Sequence, residues 1–142
     1  MPIIRKSHYR PPRYLWNGHL QTIIPNLRQF DLTYERERLT LPDGDFVDLD
    51  WRVQGSSKLV LLAHGLEGDS QRTYIQAAAK LFYEQGWDVL AWNCRSCSGE
   101  MNRKLRLYHH GEIEDIAAVI AHILHTRSYE SIALVGFSMG GS

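Results

Sequence analysis

At 142 residues the chain is long enough for one hydrophobic core and does not demand two domains. Apolar residues make up 44% and charged residues 23%, an ordinary globular mixture, and sixteen Lys+Arg balance sixteen Asp+Glu, which leaves no electrostatic reason to expect nucleic acid or an anionic membrane as partner. No apolar run approaches the roughly 20 residues that span a bilayer. Met1 to Arg13 lack the apolar stretch of a secretory leader, and two cysteines make no disulfide framework, so a cytoplasmic location is expected.

Residues 1–30 are punctuated by Pro2, Pro11, Pro12 and Pro25 and read as an irregular arm packed on the domain formed by 31–142. The arm contains the run Asn17-Gly18-His19-Leu20-Gln21-Thr22-Ile23-Ile24. Residues 32–41 and 46–53 are rich in β-formers, and Pro42-Asp43-Gly44-Asp45 between them is a hairpin turn, because Asp-Gly tolerates positive φ. The pattern then alternates. Residues 58–63 (KLVLLA) form a continuous apolar run, the mark of a strand covered on both faces. Asp69 or Ser70 can cap a helix that places Tyr74, Ala77, Ala78, Leu81 and Phe82 on one face and ends at Gly86. Residues 88–93 (DVLAWN) are the next strand, followed by a loop of about fifteen residues, long enough to suspect function. Ile113, Ile116, Ala117, Ile120 and Leu124 mark a second helical face, and 132–136 (IALVG) a third buried strand. Strand–helix alternation of this kind predicts an α/β fold with a parallel sheet and right-handed crossovers, preceded by the hairpin.

Gly136-Phe137-Ser138-Met139-Gly140-Gly141 carries the chemistry. It is G-x-S-x-G directly after a strand, a turn sharp enough to force the serine into a strained conformation with its hydroxyl exposed. Gly136 and Gly140 let backbone segments approach closely, and a helix beginning here would favour developing negative charge. Ser138 is therefore the candidate nucleophile. The bland alternative is a glycine-rich turn with a helix-capping serine. Acyl transfer needs two donors on the tetrahedral oxyanion. One is the backbone N–H after the nucleophile, that of Met139. The other comes from the loop His64-Gly65-Leu66-Glu67-Gly68, where Leu66 is the candidate and Gly65 the next choice. His64 is read as orienting this loop, since a general base following the serine in chain order is the expected arrangement.

Cys94 and Cys97 form C-x-x-C in the long loop. Redox chemistry wants the first cysteine at a helix N-terminus, and zinc wants two further ligands, of which only His110 is suitably spaced. Two ordinary thiols, and no metal or cofactor, are the reading taken. His110 and Asp115 also fit H-x4-D, a pattern associated with acyltransferases, against which Asp115 reads as a residue that solvates or caps its helix. Four tryptophans and seven tyrosines lack an accompanying basic stripe and read as core and rim packing. His122 and His125, three apart with no carboxylate at i±4, read as half-exposed helix surface.

Taken together, Asn17–Thr22, Leu41–Asp48, His64–Gly68, Cys97–Glu100 with Asn102-Arg103, Tyr108-His109, Gly111-Glu112 with Asp115, and Gly136–Gly141 resemble the YheT-like α/β-hydrolases from about Trp16 onward. One departure is Ser96, where that family usually has glycine before the cysteine. The resemblance implies the N-terminal portion of an α/β-hydrolase fold and hydrolysis of carboxylic esters, lipid or short-chain acyl esters among them, through an acyl-enzyme on Ser138. It also implies an aspartate and a histidine after the nucleophile, which do not occur in the four residues beyond Ser138. A piece cut just after the elbow is expected to be neither fully folded nor active alone, with the 132–136 strand central in the parent sheet. The expected partner is a small-molecule ester or lipid, and the oligomeric state is open. Two other classes remain: a non-catalytic binding or scaffold protein with a hydrolase fold, and an acyltransferase.

Overall fold

Lys58–Ala63 presents five apolar side chains in succession, and such a strand is stable only with both faces covered. The computed structural model describes residues 10–28, 30 and 32–142, and in it all five are buried. The strands are β1 (Glu35–Thr40), β2 (Phe46–Arg52), β3 (Lys58–Ala63), β4 (Asp88–Asn93) and β5 (Ser131–Gly136). They form one mixed sheet in the order β1-β2-β4-β3-β5. β3 is parallel to both β4 and β5, while the hairpin β1–β2 joins the same sheet through an antiparallel pairing of β2 with β4. Successive side chains of β3 point to opposite faces. Val60 and Leu62 pack with Ile75 and Ala79 of α2 (Thr73–Glu84), while Leu59, Leu61 and Ala63 pack with Val119 and Ile123 of α3 (Ile113–Thr126). Each such burial contributes about 1.5–3 kcal/mol.

The arm is more regular than its prolines suggest. A 3₁₀ turn, Arg13–Leu15, precedes α1 (Gly18–Asn26), and the Asn17 carboxamide caps α1 by accepting the Leu20 N–H at 2.9 Å. Pro25 sits in the final turn, where the helix is already ending. The first nine positions of the arm lie outside the described residues. Among the described residues no helix is long and apolar enough to cross a membrane.

Both helices are rotated from the faces that periodicity selects. In α2 the buried residues are Ile75 and Ala79, whereas Leu81 is exposed. Two apolar stripes one residue apart overlap in this helix, and small Ala79 permits the closer approach to the sheet. The cap is also different: Arg72 stands at the N-cap without a side-chain bond. Asp69 instead accepts the Gln71 N–H, and Ser70 is diverted to the sheet, where its hydroxyl donates to Asp50. In α3 the buried residues are Asp115, Val119 and Ile123, with Ile113 and Leu124 exposed. The third strand is likewise not buried. β5 lies at the edge among the described residues, and Leu134 is 57% exposed.

The rotation of α3 has an ionic cause. Arg95, at 1% exposure, donates two bonds to Asp115, from Nε at 2.6 Å and from Nη2 at 2.8 Å, and its Nη1 lies 2.8 Å from Asp43 and 3.4 Å from Asp45. Contrary to the sequence reading, Asp115 neither solvates nor caps its helix; buried against Arg95, it locks α3 to the hairpin turn. Asp45 also accepts the backbone N–H groups of Phe46, Arg103 and Lys104. Burial alone would raise the Asp45 pKa, but those amides and the Asn102 side chain outweigh it and hold it at about 2. On the other face of β2, Asp48 pairs with Arg38 and Ser98, and Asp50 with Arg36, Ser70 and Asn93. The long loop is thus tied down at several points. Within it Ser96 takes φ +61°, the left-handed conformation that glycine adopts freely, with its N–H donated to Asn102 Oδ1.

Replacing Arg95 with methionine strands two buried carboxylates, and urea unfolding of the full-length protein is expected to show a loss of about 3–5 kcal/mol. An unchanged midpoint would contradict the linking role. The Asp45 pKa is depressed on folding, so its stabilisation is complete above the unfolded value near 3.8 and is lost as pH falls towards 2. Asp45→Asn is expected to flatten the fall in melting temperature across that acid window, measured by calorimetry.

Candidate functional site

Ala63 at the end of β3 lies opposite Gly136 at the end of β5, so the two chains leave the sheet side by side. The Phe137 N–H donates to the Ala63 carbonyl at 3.0 Å. The chain then reverses at Ser138, whose φ of +54° costs a non-glycine residue about 1–2 kcal/mol. A single 3₁₀ turn, Ser138–Gly141, follows, closed by the Gly140 N–H on the Phe137 carbonyl at 3.0 Å. Two positions in this turn have no room for a side chain. A Cβ on Gly136 would collide with the Gly140 carbonyl oxygen and lie 2.5 Å from its carbon. One on Gly140 would collide with the His64 carbonyl oxygen and lie 2.7 Å from that of Ala63. Both obstacles are backbone, so no change of rotamer relieves them.

The loop after β3 faces this elbow. A Cβ added to Gly65 would stand 3.2 Å from the Ser138 Cβ and 3.8 Å from its Oγ, which puts the loop in contact with the serine. Its amides are mostly engaged. Gly65 N–H donates to the Tyr74 hydroxyl at 3.1 Å, Glu67 N–H to the Tyr108 hydroxyl at 2.6 Å, and Gly68 N–H to the Gly65 carbonyl at 3.0 Å. Among the described residues, the N–H groups of Leu66 and Met139 have no acceptor. Leu66 is 71% exposed. Glu67, at φ +52°, gives the loop its tight bend.

His64 is buried beneath this loop. Its Nε2 accepts the Cys94 N–H at 3.0 Å, which leaves the proton on Nδ1, 2.7 Å from the Gly65 carbonyl. Burial lowers its pKa, against the opposing pull of that carbonyl, so the ring is a neutral strut with both nitrogens engaged. It therefore cannot accept a proton from Ser138, in keeping with the chain-order argument. Cys94 is buried and its thiol is pushed up to about 12 by that burial; Cys97 is half-buried and raised for the same reason. His110 joins no ligand set with them: among the described residues no group of three or more His, Cys, Asp or Glu side chains is arranged to hold a metal. His122 does have a carboxylate partner, supplied by β1. Its Nε2 lies 2.6 Å from Glu37, which also accepts the Trp51 indole N–H.

Two recesses lie on this side of the molecule, the first reaching the elbow and the second bordering the loop after β3. One, of about 130 Å³, is bounded by Trp92, Tyr108, Glu112, Met139 and Gly140. The other, an open cleft of about 530 Å³, lies beside the oxyanion-loop candidate and is lined by Leu66, Cys97, Leu107 and Tyr108 among others. The sequence places Tyr74 on a helix face and Tyr108 in the family's Tyr-His run, but their hydroxyls' bonds to the loop, nine and forty-one positions away, were missed because no local pattern marks such a bond.

Residues 58–142 match the model of the alpha/beta hydrolase fold family. Over 143 residues the chain is 38% identical to "Putative esterase YheT" of Escherichia coli, covering 96% of this chain and 42% of that protein. It is 30% identical over 151 residues to "Phospholipase ABHD3" of Bos taurus, covering 99% of this chain and 36% of that one. The solved esterase Pf2001 of Pyrococcus furiosus superposes with a TM-score of 0.68 at 24% identity, over 78% of this chain and 42% of its own. The chain thus spans about two fifths of the length of these relatives. The match begins at the first residue of β3 and runs through the strained serine, and on that ground the chain belongs to the alpha/beta hydrolase fold family.

Proposed function

We propose that the protein is a serine hydrolase of carboxylic esters, with lipid and short-chain acyl esters as its substrate class. The observation that carries this reading is the positive-φ Ser138 held against a loop in which the Leu66 amide has no acceptor among the described residues. The esterase and phospholipase names of its relatives support the same class. Residues 31–142 are taken as part of one hydrolase domain, with 1–30 as an arm upon it.

In this reading the Ser138 oxygen attacks the ester carbonyl carbon and its proton passes to a histidine supplied outside residues 1–142. The carbonyl π bond breaks towards oxygen, and the resulting oxyanion accepts from the N–H groups of Met139 and Leu66. Collapse expels the alcohol, which takes the proton from that histidine, and leaves an acyl-Ser138 ester. Water then repeats the sequence and releases the acid. The acyl chain lies in the open cleft along Leu66, Leu107 and Tyr108, where apolar side chains are already exposed. Acyl transfer to another acceptor would share every step but the last, and product analysis with added alcohols separates the two.

In the full-length protein a fluorophosphonate probe is expected to label Ser138, and Ser138→Ala to abolish both labelling and ester turnover; labelling that survives the substitution would refute the assignment. Gly65→Val directs branched methyls at the serine and pushes Leu66 away from it. A loss in kcat of about 10²–10³ is expected, the usual cost of one oxyanion donor, with circular dichroism unchanged. Wild-type turnover in a folded variant would place the donor elsewhere.

A further inference from the structure

Of the amides at Gly65, Leu66, Glu67 and Gly68, that of Leu66 alone has no acceptor among the described residues, and two tyrosine hydroxyls tie down its neighbours. Tyr74 stands in the first turn of α2, and its hydroxyl accepts the Gly65 N–H at 3.1 Å. Tyr108 stands in the long loop before α3, and its hydroxyl accepts the Glu67 N–H at 2.6 Å. Leu66 lies between these two tied residues. The peptide unit joining Gly65 to Leu66 is held separately. Its carbonyl accepts the Gly68 N–H at 3.0 Å and faces the His64 Nδ1–H at 2.7 Å. In a planar trans peptide the carbonyl and the N–H point opposite ways, so a carbonyl fixed on His64 turns the Leu66 N–H away from that buried ring. The tyrosines fix where this plane sits, by anchoring the planes on either side; the Gly65 carbonyl fixes which way it faces.

Both rings are themselves placed against the site. That of Tyr74 packs on Phe137, the residue before Ser138, with centroids 5.0 Å apart, so one side chain touches the elbow and the loop opposite it. The Tyr108 ring meets His64 edge-on at 6.3 Å. Gly68 leaves the space this needs: a Cβ there would stand 2.8 Å from the Tyr74 hydroxyl and 3.0 Å from His64 Nδ1. We infer that Tyr74 and Tyr108 are a pair of positioning residues for ester cleavage, whose hydroxyls clamp the amides flanking Leu66 and so hold its N–H where the oxyanion forms. The inference rests on the ester-hydrolase reading, in which Leu66 is an oxyanion donor, and adds two side chains that act through that donor. Such a donor has to be in place before the charge develops, and a displacement of about 1 Å can cost about 10²-fold in rate.

Phenylalanine keeps each ring and removes only the acceptor. In the full-length protein, kcat and KM for p-nitrophenyl butyrate are measured for Tyr74→Phe, Tyr108→Phe and the double variant. Each single change is expected to lower kcat by about tenfold and the double change by about 10²–10³, the cost of a lost oxyanion donor, with KM within about threefold, because the donor acts in the transition state and not on the bound ester. Affinity for a trifluoromethyl ketone, whose adduct carries the oxyanion, is expected to fall by the same factor as kcat. Gly65→Val supplies the background that separates positioning from a purely structural role. With the donor already displaced the hydroxyls have nothing left to position, and adding Tyr108→Phe is expected to cost less than about threefold more. A full tenfold loss in that background assigns the tyrosines to the fold alone and overturns the clamp. A loss carried in KM overturns it too, since Tyr108 also lines both recesses and would then be touching substrate. Wild-type kcat in the single variants, or unchanged affinity for the ketone, overturns it as well. Fluorophosphonate labelling and ester turnover of the wild type are scored first. Their absence refutes the hydrolase reading and the clamp with it, whereas a labelled, active wild type with unaffected variants refutes the clamp alone. Thermal melts confirm folding. Should one phenylalanine variant not fold, the other decides together with Gly68→Ala, whose methyl group displaces the Tyr74 hydroxyl and is expected to match Tyr74→Phe; wild-type kcat in Gly68→Ala would overturn the clamp.

Discussion

The backbone contact between the turn at Gly136–Gly140 and the end of β3 is the constraint on which the candidate site depends. Gly140 lies so close to the Ala63 and His64 carbonyls that even a methyl group cannot be inserted. This contact requires β3 and β5 to be adjacent and parallel, with Ala63 opposite Gly136. It places the loop at 64–68 beside Ser138 rather than a turn away. It also makes the left-handed conformation at Ser138 sustainable, because a local strain of about 1–2 kcal/mol persists only where the surroundings over-determine it.

A second layer of fixed polar groups keeps that contact in register. His64 spans from the Cys94 amide to the Gly65 carbonyl, so the loop is tied to the end of β4 as well as to β3. Below it, Arg95 joins the hairpin turn to α3, and Asn93 joins β4 to Asp50 of β2 and to the loop before α2. Apart from the bond of His64 to its neighbour Gly65, each of these connects elements far apart in sequence. The buried carboxylates are matched by guanidinium groups, hydroxyls and amides, which is the condition under which buried charge is tolerable. Among the described residues, Tyr34, Arg52, Trp92 and Glu112 each keep one buried polar atom outside this pattern of satisfaction.

The strands were legible because their signal is local. A continuous apolar run at 58–63, the stretch 88–93, and the Asp-Gly turn between two β-rich segments each carry their meaning within a few residues. The elbow was legible because its glycines and serine sit within one turn, although only Gly136 answers a steric demand made inside that turn, while Gly140 makes room for the end of β3. Helical faces were less so. Residues 74–82 and 113–124 each carry overlapping apolar stripes, and periodicity alone cannot rank them. In α3 the choice was made by the ion pair of Asp115 with Arg95, twenty positions earlier in the chain. The Asn17 cap of α1 was overlooked because prolines on either side suggested an irregular arm.

The amino-acid sequence by itself determined the order of strands and helices, the strained serine turn, and the neighbouring glycine-rich loop, because each is a short-range consequence of side-chain size and apolar pattern. Only the tertiary structure decided which way each helix turns and which loop amide is left without an acceptor. It alone decided that His64 is fully engaged. Those outcomes depend on bonds between residues tens of positions apart, Cys94 to His64 or Tyr108 to Glu67, and no local pattern encodes which distant partner arrives.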